Sequence, residues 1–316
     1  MADRLLRPPA VPPGARIAVV APASSADQDR ITRGIAALRA LGYDAVLSEH
    51  ARGKHPPYFS GTVEDRLADF HQAFADPEVA AIICTRGGYG SNYLLDGLDL
   101  DLIRSHPKPF FGYSDLTTLQ TWLLDRLGLV SFHGPMAAAD FYRDGGVHLP
   151  SFQASISGGL VAAGAGEGFR VLRPGHARAT LYGGCLSILT ATLGTPYAPQ
   201  TEGKLLFLED RDAKPYQVDR MLRHMILAGK LEGVRGFIFG EMLDCTSPGA
   251  DPNLLEDVIL RVLEPFRVPI AIGLRSGHVS QACVTLPFGL EAELVLENDQ
   301  PQLRLLQSAV TPLPHA

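Results

Sequence analysis

The sequence predicts an α/β protein, because short apolar segments alternate with amphipathic ones throughout the first half of the chain. The apolar segments have the length of buried strands, and the segments between them place apolar residues at helical spacing. In the second half, strand-like segments are more frequent and helices fewer. A chain of 316 residues, 46% of them hydrophobic, is long enough for two domains that each bury a core.

The elements of the first half follow one another in strand–helix order. A strand is predicted over residues 16–22, and a helix over 27–41 follows a polar capping segment and ends at Gly42. The later elements are strands over 43–47, 79–84 and 109–113 and helices over 62–75 and 116–127. Strands that alternate with helices in this way pair in parallel, and the helices cover both faces of the sheet.

Glycine-rich sequence at about 134–175 interrupts this alternation and predicts a linker. We therefore expect an N-terminal α/β domain over residues 1–165 and a C-terminal, more strand-rich, mixed α/β domain over 166–316. The apolar segments of the second half predict strands over 204–208, 234–239, 269–272, 284–286 and 291–296, and helices over 217–227 and 253–264.

Charge and composition argue against several classes of function. Lys and Arg number 28 and Asp and Glu number 34, so the net charge of −6 provides no general attraction for nucleic acid or anionic lipid. No apolar stretch reaches the roughly 18 residues that a membrane-spanning helix needs. The four cysteines form no Cys-x-x-Cys pair, and prolines interrupt the N-terminal segment where a signal peptide would be apolar. These features predict a cytoplasmic protein with reduced thiols.

A glycine-rich segment, residues 86–90 (RGGYG), directly follows the predicted strand over 79–84. Ligand-binding loops of open α/β sheets lie at such strand ends, and glycine lets backbone N–H groups approach an anion or a developing oxyanion closely. The dinucleotide fingerprint G-x-G-x-x-G fails, because Tyr93 occupies its last position, and no Walker A motif is present. A tight turn between strand and helix explains the glycines equally well.

Ser114 lies at the corner where the predicted strand over 109–113 meets a helix. This placement exposes a hydroxyl that could attack a carbonyl, while the N–H groups of Asp115 and Gly88 could stabilise the resulting negative charge. The surrounding sequence is not the G-x-S-x-G of α/β-hydrolases. A serine before a helix also serves as an N-cap, which is its most common role.

A nucleophilic serine requires a base and a group that orients the base. Among ten histidines, His278 follows an apolar strand and a glycine, as a residue at a cleft would, and His133, which ends a strand, ranks second. Glu209 closes the apolar run over 205–208 and could reach the same cleft, although a solvated acidic turn is an equal alternative.

Cys185 provides a competing nucleophile, since it precedes a predicted helix and a helix N-terminus lowers the pKa of a thiol. Its more common role is that of a buried packing residue. No histidine and carboxylate spacing predicts a metal, and no cofactor motif is complete.

Several motifs in order resemble the LD-carboxypeptidase family of serine peptidases, which includes muramoyltetrapeptide carboxypeptidases and microcin C immunity peptidases. The resemblance extends over residues 16–289. The motifs that carry it are RGGYGSNYLLDGLD (86–99), FFGYSDLT (110–117), FHGPM (132–136), YGGCLSIL (182–189), LFLED (206–210), YQVDRML (216–222) and GH (277–278) leading to LPFG (286–289). One departure is Tyr93, where the family pattern leads us to expect arginine.

The resemblance implies a triad of Ser114 as nucleophile, His278 as general base and Glu209 as orienter, with the N–H groups of Gly88 and Asp115 as oxyanion donors. It also implies a flavodoxin-like N-terminal domain with the nucleophile, a mixed C-terminal domain with a β-rich core that carries Glu209 and His278, and a homodimer.

The implied reaction releases terminal D-alanine from a murein tetrapeptide during cytoplasmic peptidoglycan recycling, without a cofactor. The free carboxylate of such a substrate requires a cationic group, for which Arg86 is the candidate; pairing at the surface is its alternative. Two other functions stay open. One is self-immunity, in which the enzyme cleaves a microcin C-like peptidyl-nucleotide, and the other is non-catalytic binding of a small anionic ligand.

Overall fold

The computed structural model describes residues 5–246, 249, 251–297 and 299–313 of the chain. Within these residues the strands are β1 (Arg16–Val20), β2 (Asp44–Leu47), β3 (Val79–Cys84), β4 (Phe110–Gly112), β5 (Ser131–His133), β6 (Ala162–Gly164), β7 (Arg170–Arg173), β8 (Gly175–Cys185), β9 (Lys204–Glu209), β10 (Gly236–Gly240), β11 (Ile270–Leu274), β12 (Leu286–Phe288), β13 (Glu291–Glu297) and β14 (Gln300–Leu305). The α-helices are α1 (Gln28–Ala40), α2 (Val63–Ala75), α3 (Leu100–Ser105), α4 (Thr117–Leu127), α5 (Leu149–Ser157), α6 (Leu186–Ala191), α7 (Pro215–Leu227) and α8 (Leu254–Val262).

The first sheet has the strand order β12-β5-β4-β3-β1-β2. Its five strands from the first half of the chain are mutually parallel, and β12 joins antiparallel to β5. Helices α1, α2 and α4 follow β1, β2 and β4 along the chain, and α2 begins at a capping box made by Thr62 and Asp65. The predicted parallel α/β layer is confirmed.

The second sheet has eight strands in the order β6-β14-β13-β8-β9-β10-β11-β7. Its centre, β8 to β11, is parallel, and antiparallel pairs extend it on both sides. The C-terminal half is therefore mixed and strand-rich, as expected. The fold class predicted from the sequence is confirmed.

The longest strand, β8, is absent from the sequence-based prediction. Its first six residues alternate small and polar or charged side chains, and exposed His176 and Arg178 give this half no apolar character. The segment is extended because it pairs with β13 through residues 175–180 and with β9 through residues 180–185. Tertiary pairing, rather than local hydrophobicity, determines this strand.

Residues 134–175, predicted as a linker, contain a π-helical turn over Ala137–Phe141, α5, β6 and β7. Farther along, β12 returns to the first sheet, where Leu286 lies opposite His133. The buried core is continuous across both sheets: the Phe111 and Phe132 rings stack with centroids 4.8 Å apart, and Phe207 of the second sheet packs against Phe288 of the first. No helix in the described residues is long and apolar enough to cross a membrane.

Candidate active site

Ser114 lies between β4, which ends at Gly112, and α4, which begins at Thr117. Its φ is +64°, in the left-handed region that non-glycine residues rarely adopt. Such a conformation costs about 1–3 kcal/mol and is typical of active sites. The N-cap position of α4 is Leu116, so the alternative role of Ser114 as the cap of this helix is wrong.

The glycine-rich loop after β3 packs directly against this corner. A Cβ placed on Gly87 would lie 2.8 Å from Ser114 Cβ and 3.1 Å from its Oγ, so a larger residue would displace the serine. Asp115 fixes the loop to the corner, because its Oδ2 accepts a hydrogen bond from Ser91 N at 2.8 Å and its carbonyl accepts one from Ser91 Oγ at 2.7 Å. The close approach of loop and serine therefore depends on glycine.

The backbone N–H groups of Gly88 and Asp115 are the predicted oxyanion donors. Within the parts of the chain that the structure describes, neither group donates a hydrogen bond to another protein atom. Gly88 has a φ of +102° and lines the cleft beside Ser114. Neither N–H group is therefore occupied by another protein atom of the described residues, which is a requirement for an oxyanion donor.

Glu209 ends β9, and His278 follows β11 after a short loop. His278 Nδ1 lies 2.8 Å from Glu209 Oε2, and the His278 backbone N–H donates to the same oxygen at 3.0 Å. Gly277 and Gly240 allow this packing, since an added Cβ would lie 2.6 Å from Glu209 Cδ and 2.7 Å from Glu209 Cβ, respectively. Glu209 is fully buried, so its alternative role in a solvated acidic turn is wrong.

The electrostatics of this pair favour an ionised carboxylate beside a basic imidazole. Burial opposes ionisation of Glu209, but the nearby His278 and His133 rings hold its pKa well below the usual range. Burial also opposes protonation of His278, yet the charge of Glu209 and its hydrogen bond raise the pKa of His278 above its ordinary value. The arrangement suits a general base held by a carboxylate.

Ser114 and His278 line the same cleft, whose volume is about 500 Å³. Glu209 lies behind His278 and does not reach the cleft surface. No hydrogen bond joins Ser114 to His278 among the described residues. The three predicted residues are therefore brought together: Glu209 contacts His278, and His278 lines the same cleft as Ser114.

The cleft carries more cations than the sequence led us to expect. Arg86 lines it and, in the described part of the chain, has no carboxylate partner. Three further arginines and two aspartates also line it: Arg30, Arg143, Arg211, Asp27 and Asp212. These arginines come from separated segments, so the sequence gives no signal that they meet.

Tyr113 and Asp140 form a buried support beneath the cleft that the sequence analysis missed. The Tyr113 ring packs edge-on against His278 with centroids 5.2 Å apart, and its hydroxyl donates to Asp140 Oδ1 at 3.3 Å. Asp140 also accepts from Met136 N and Arg143, and burial raises its pKa to about 6. Tyr113 is adjacent to Ser114 in the sequence, which is the one signal that could have identified it.

His133, the second choice as general base, is fully buried and does not line the cleft. Tyr93, the departure from the family pattern, is 52% exposed, lies outside the cleft lining and packs against Phe59 and Tyr89.

Cys185 precedes the short helix α6, as predicted, but the expectation of a lowered thiol pKa is wrong. The residue is 3% exposed, and burial raises the pKa of its thiol well above the usual value, an effect that Glu209 and Asp210 reinforce. The N-terminus of this six-residue helix does not offset the desolvation of the thiol. The side chain behaves as a packing residue.

Comparisons with known proteins connect this geometry to a family. The family model described as LD-carboxypeptidase N-terminal domain matches residues 17–134, and the LD-carboxypeptidase C-terminal domain matches residues 178–294. A probable murein peptide carboxypeptidase of Bacillus subtilis is 37% identical, with 91% of each chain covered. The murein tetrapeptide carboxypeptidase of Pseudomonas aeruginosa is 32% identical, with 84% of this chain and 89% of that protein covered.

Two further similarities extend the comparison to immunity proteins. The Microcin C7 self-immunity protein MccF of Escherichia coli is 28% identical, with 88% of this chain and 89% of that protein covered. The crystal structure of an MccF-like protein from Bacillus anthracis superposes with a TM-score of 0.88 at 27% identity and covers 96% of this chain and 99% of that one.

The two matched domains together span more than half of the chain and include the corner of Ser114, the end of β9 and the loop of His278. The resemblance seen in the sequence motifs is therefore confirmed. This chain belongs to the LD-carboxypeptidase family and is a serine-type LD-carboxypeptidase hydrolase.

Proposed function

We propose that the enzyme hydrolyses the amide bond before the terminal D-alanine of murein tetrapeptides, with Ser114, His278 and Glu209 as its catalytic triad. The observation that carries the proposal is the contact of 2.8 Å between Glu209 and His278. His278 lines the same cleft as Ser114, whose backbone has a positive φ. Murein peptide carboxypeptidases among the relatives support the choice of substrate.

In the first half-reaction, His278 accepts the Ser114 hydroxyl proton as Oγ attacks the carbonyl carbon. Nδ1 is occupied by Glu209, so Nε2 is the atom that serves as base, and substrate binding must bring it within hydrogen-bond reach of Oγ. The N–H groups of Gly88 and Asp115 stabilise the oxyanion, and each contributes about 3 kcal/mol to lowering the barrier.

The tetrahedral intermediate collapses when the C–N bond breaks. His278 gives its proton to the departing nitrogen, and D-alanine leaves with the remaining peptide as an ester of Ser114. A water molecule then attacks the ester carbonyl and transfers a proton to His278. The ester bond breaks and His278 returns the proton to Ser114. The shortened peptide is released as a carboxylic acid, which gives up its proton to water and departs as a carboxylate.

The cationic cleft provides the carboxylate recognition that this substrate requires. Arg86 borders Gly88, with its Nη2 3.5 Å from the point where a Gly88 Cβ would lie, and has no carboxylate partner in the described structure. Arg30 adds positive charge along the same lining, whereas Arg143 is paired with Asp140. We propose that Arg86 binds the carboxylate of the terminal D-alanine, since it lies beside the proposed oxyanion donor.

Replacement of Ser114 by alanine tests the proposal. The change removes the attacking oxygen and should lower D-alanine release from the tetrapeptide by at least about a thousandfold, measured with a coupled D-amino acid oxidase assay. Ser157→Ala, an exposed serine at the end of α5, is the matched control and should retain native turnover. Undiminished release by folded Ser114→Ala would refute the assignment of the nucleophile.

The similarity to a microcin self-immunity protein favours a second candidate substrate, a peptidyl-nucleotide. The same triad chemistry would cleave its amide bond. Turnover of a tetrapeptide and of a peptidyl-nucleotide by one preparation separates the two proposals, because the physiological substrate class should have the higher kcat/KM.

We also propose a cytoplasmic role in peptidoglycan recycling and a homodimeric state. Four unpaired and buried cysteines are consistent with a reducing compartment, and the family resemblance suggests the dimer. Cell fractionation and light scattering, respectively, test these two expectations.

A further inference from the structure

The carboxylate of Glu209 has two oxygens in very different surroundings. Oε2 accepts hydrogen bonds from the backbone N–H and from Nδ1 of His278. Oε1 is buried and, among the described residues, has no hydrogen-bond partner. A buried carboxylate oxygen without a donor carries a desolvation penalty, so the group that faces it is important for the state of the carboxylate.

That group is the imidazole of His133. Its Nε2 lies 3.9 Å from Glu209 Oε1, and both side chains have no exposed surface. Nε2 also lacks a hydrogen-bond partner within the described part of the chain. Two unpartnered buried atoms therefore face each other at a separation slightly beyond a hydrogen bond.

The other ring nitrogen determines which tautomer faces the carboxylate. His133 Nδ1 lies 2.9 Å from Ser276 Oγ, and the serine hydroxyl can donate to it. With Nδ1 as the acceptor, the neutral ring carries its proton on Nε2, directed at Glu209 Oε1. The opposite tautomer would place a nitrogen lone pair against an ionised carboxylate, which is unfavourable.

Packing holds His133 in this place. It is the last residue of β5, paired with Leu286 of β12, and its ring contacts the rings of Phe207, Phe288 and Tyr113 with centroids 5.1, 5.3 and 5.9 Å away. His133 thus belongs to the sheet that carries Ser114, while Glu209 belongs to the other sheet.

We propose that His133 is a positioning residue of the hydrolase: its Nε2–H supports Glu209 Oε1, keeps the carboxylate in the orientation that binds His278, and connects the nucleophile's sheet to the base. The part of the proposal that concerns turnover rests on the proposed function. The part that concerns Glu209 and His278 does not require any substrate.

The effect on His278 has a definite sign. Without the His133 donor, the negative charge of Glu209 is stabilised by His278 alone, so the imidazolium form of His278 is favoured and its pKa rises. Several other groups act on this site and stay in place in the variants below. They are Asp210, Arg211, Tyr113, Asp140, Cys185 and Cys283.

The experiment is an NMR titration of the His278 ring in native protein and in His133→Phe, His133→Gln and Ser276→Ala. We expect the His278 pKa to rise by about half a unit to one unit in His133→Phe, which keeps a ring but has no donor. The amide of His133→Gln can donate a hydrogen bond, so the His278 pKa of this variant should be closer to the native value. Ser276→Ala removes the hydroxyl that fixes the His133 tautomer, so its His278 pKa should lie between the two. His224→Gln, an exposed helix histidine, is the control.

Kinetics provide the second measurement. We expect kcat of His133→Phe to fall by about tenfold or more with little change in KM, and the acid limb of its pH profile to move upward with the NMR value. If His133→Phe does not fold, His133→Gln and Ser276→Ala give the same comparison.

A His278 pKa and pH profile equal to native in folded variants that lack the donor would overturn the proposal, even if their Tm fell. If instead the native protein releases no D-alanine, the proposed function fails, while the titration still decides the role of His133.

Discussion

The backbone conformation of Ser114 and the absence of a side chain at Gly87 together define the position of the proposed nucleophile. Gly87 does not have positive φ, so alanine is tolerated there by the backbone, but its Cβ would press on Ser114 and lie 3.2 Å from Asp115 N. The effect of the substitution is therefore on the site rather than on local conformation.

We expect Gly87→Ala to lower kcat/KM for D-alanine release by about tenfold to a hundredfold, because misplacement of a nucleophile by a few tenths of an ångström is costly. Steady-state kinetics and circular dichroism check the result. Gly166→Ala is the matched control, since nothing lies within 4 Å of its added Cβ, and it should behave as native. Equal activity of the two variants would contradict the proposed contact.

The pH dependence of the reaction should follow His278. A protonated ring cannot accept the Ser114 proton, so kcat/KM should fall as the pH drops through the His278 pKa, which lies above its ordinary value. Glu209→Gln removes the charge that raises this pKa while burial still lowers it, so the acid limb should move to lower pH.

The plateau value of kcat/KM above the acid limb should also fall by roughly a thousandfold or more in Glu209→Gln, because the orientation of the base is lost. Glu297→Gln removes one negative charge at an exposed strand end and should leave both limb and plateau unchanged. An acid limb that stays in place in Glu209→Gln would show that the carboxylate does not act through His278.

Sequence patterns predicted Ser114, Glu209 and His278 as site residues because each lies at or after the end of an apolar strand, where side chains reach the edge of a parallel sheet. They could not identify the arginines of the cleft or the contact between His133 and Glu209. His133 and Glu209 are 76 residues apart in the sequence, and the arginines come from separate helices and loops. Only tertiary packing brings these groups together.

At the scale of elements, the end of β8 is fixed to the start of α4, the helix that follows the nucleophile. Cys185 N donates to Thr117 Oγ1 at 3.0 Å. Gly184 has a φ of +141°, and an added Cβ would lie 2.5 Å from Thr117 Cγ2. This contact joins the sheet that contains Glu209 to α4, the helix that follows Ser114.

We expect Gly184→Ala to reduce the free energy of unfolding by about 1–3 kcal/mol more than Gly203→Ala. Alanine adopts the φ of +72° at Gly203 more readily than the +141° at Gly184, and nothing lies within 4 Å of a Cβ at Gly203. The difference therefore combines backbone strain at Gly184 with its contact to Thr117. Chemical denaturation measures both values. Equal losses would show that β8 and α4 can separate without strain.

The strands that the sequence predicted are apolar in themselves, such as β3 and β9, which are buried along most of their length. The strands it missed are β6, β7, β8 and β14. All four pair with neighbouring strands, and β7, β8 and β14 contain exposed charged or polar positions. Local hydrophobicity therefore predicts strands whose own residues are mostly apolar, and strands with exposed polar positions are extended only through their pairing.

At the scale of the whole molecule, the two sheets share one core, and one strand of the C-terminal half joins the first sheet. β12 brings chain from the C-terminal half beside β5, so the loop that carries His278 is connected on both sides to elements of fixed position. The core that contains Phe111, Phe207 and Phe288 is continuous. This shared core holds together the two sheets that carry the members of the proposed triad.

The central claim is that Ser114, His278 and Glu209 act as one unit, and a double-mutant cycle on D-alanine release tests it most directly. If the three residues form one relay, Ser114→Ala combined with His278→Gln should be no slower than Ser114→Ala alone, because the first substitution already removes the function of the second. Independent, multiplicative losses in the double variant, or substantial activity in either single variant, would contradict the account.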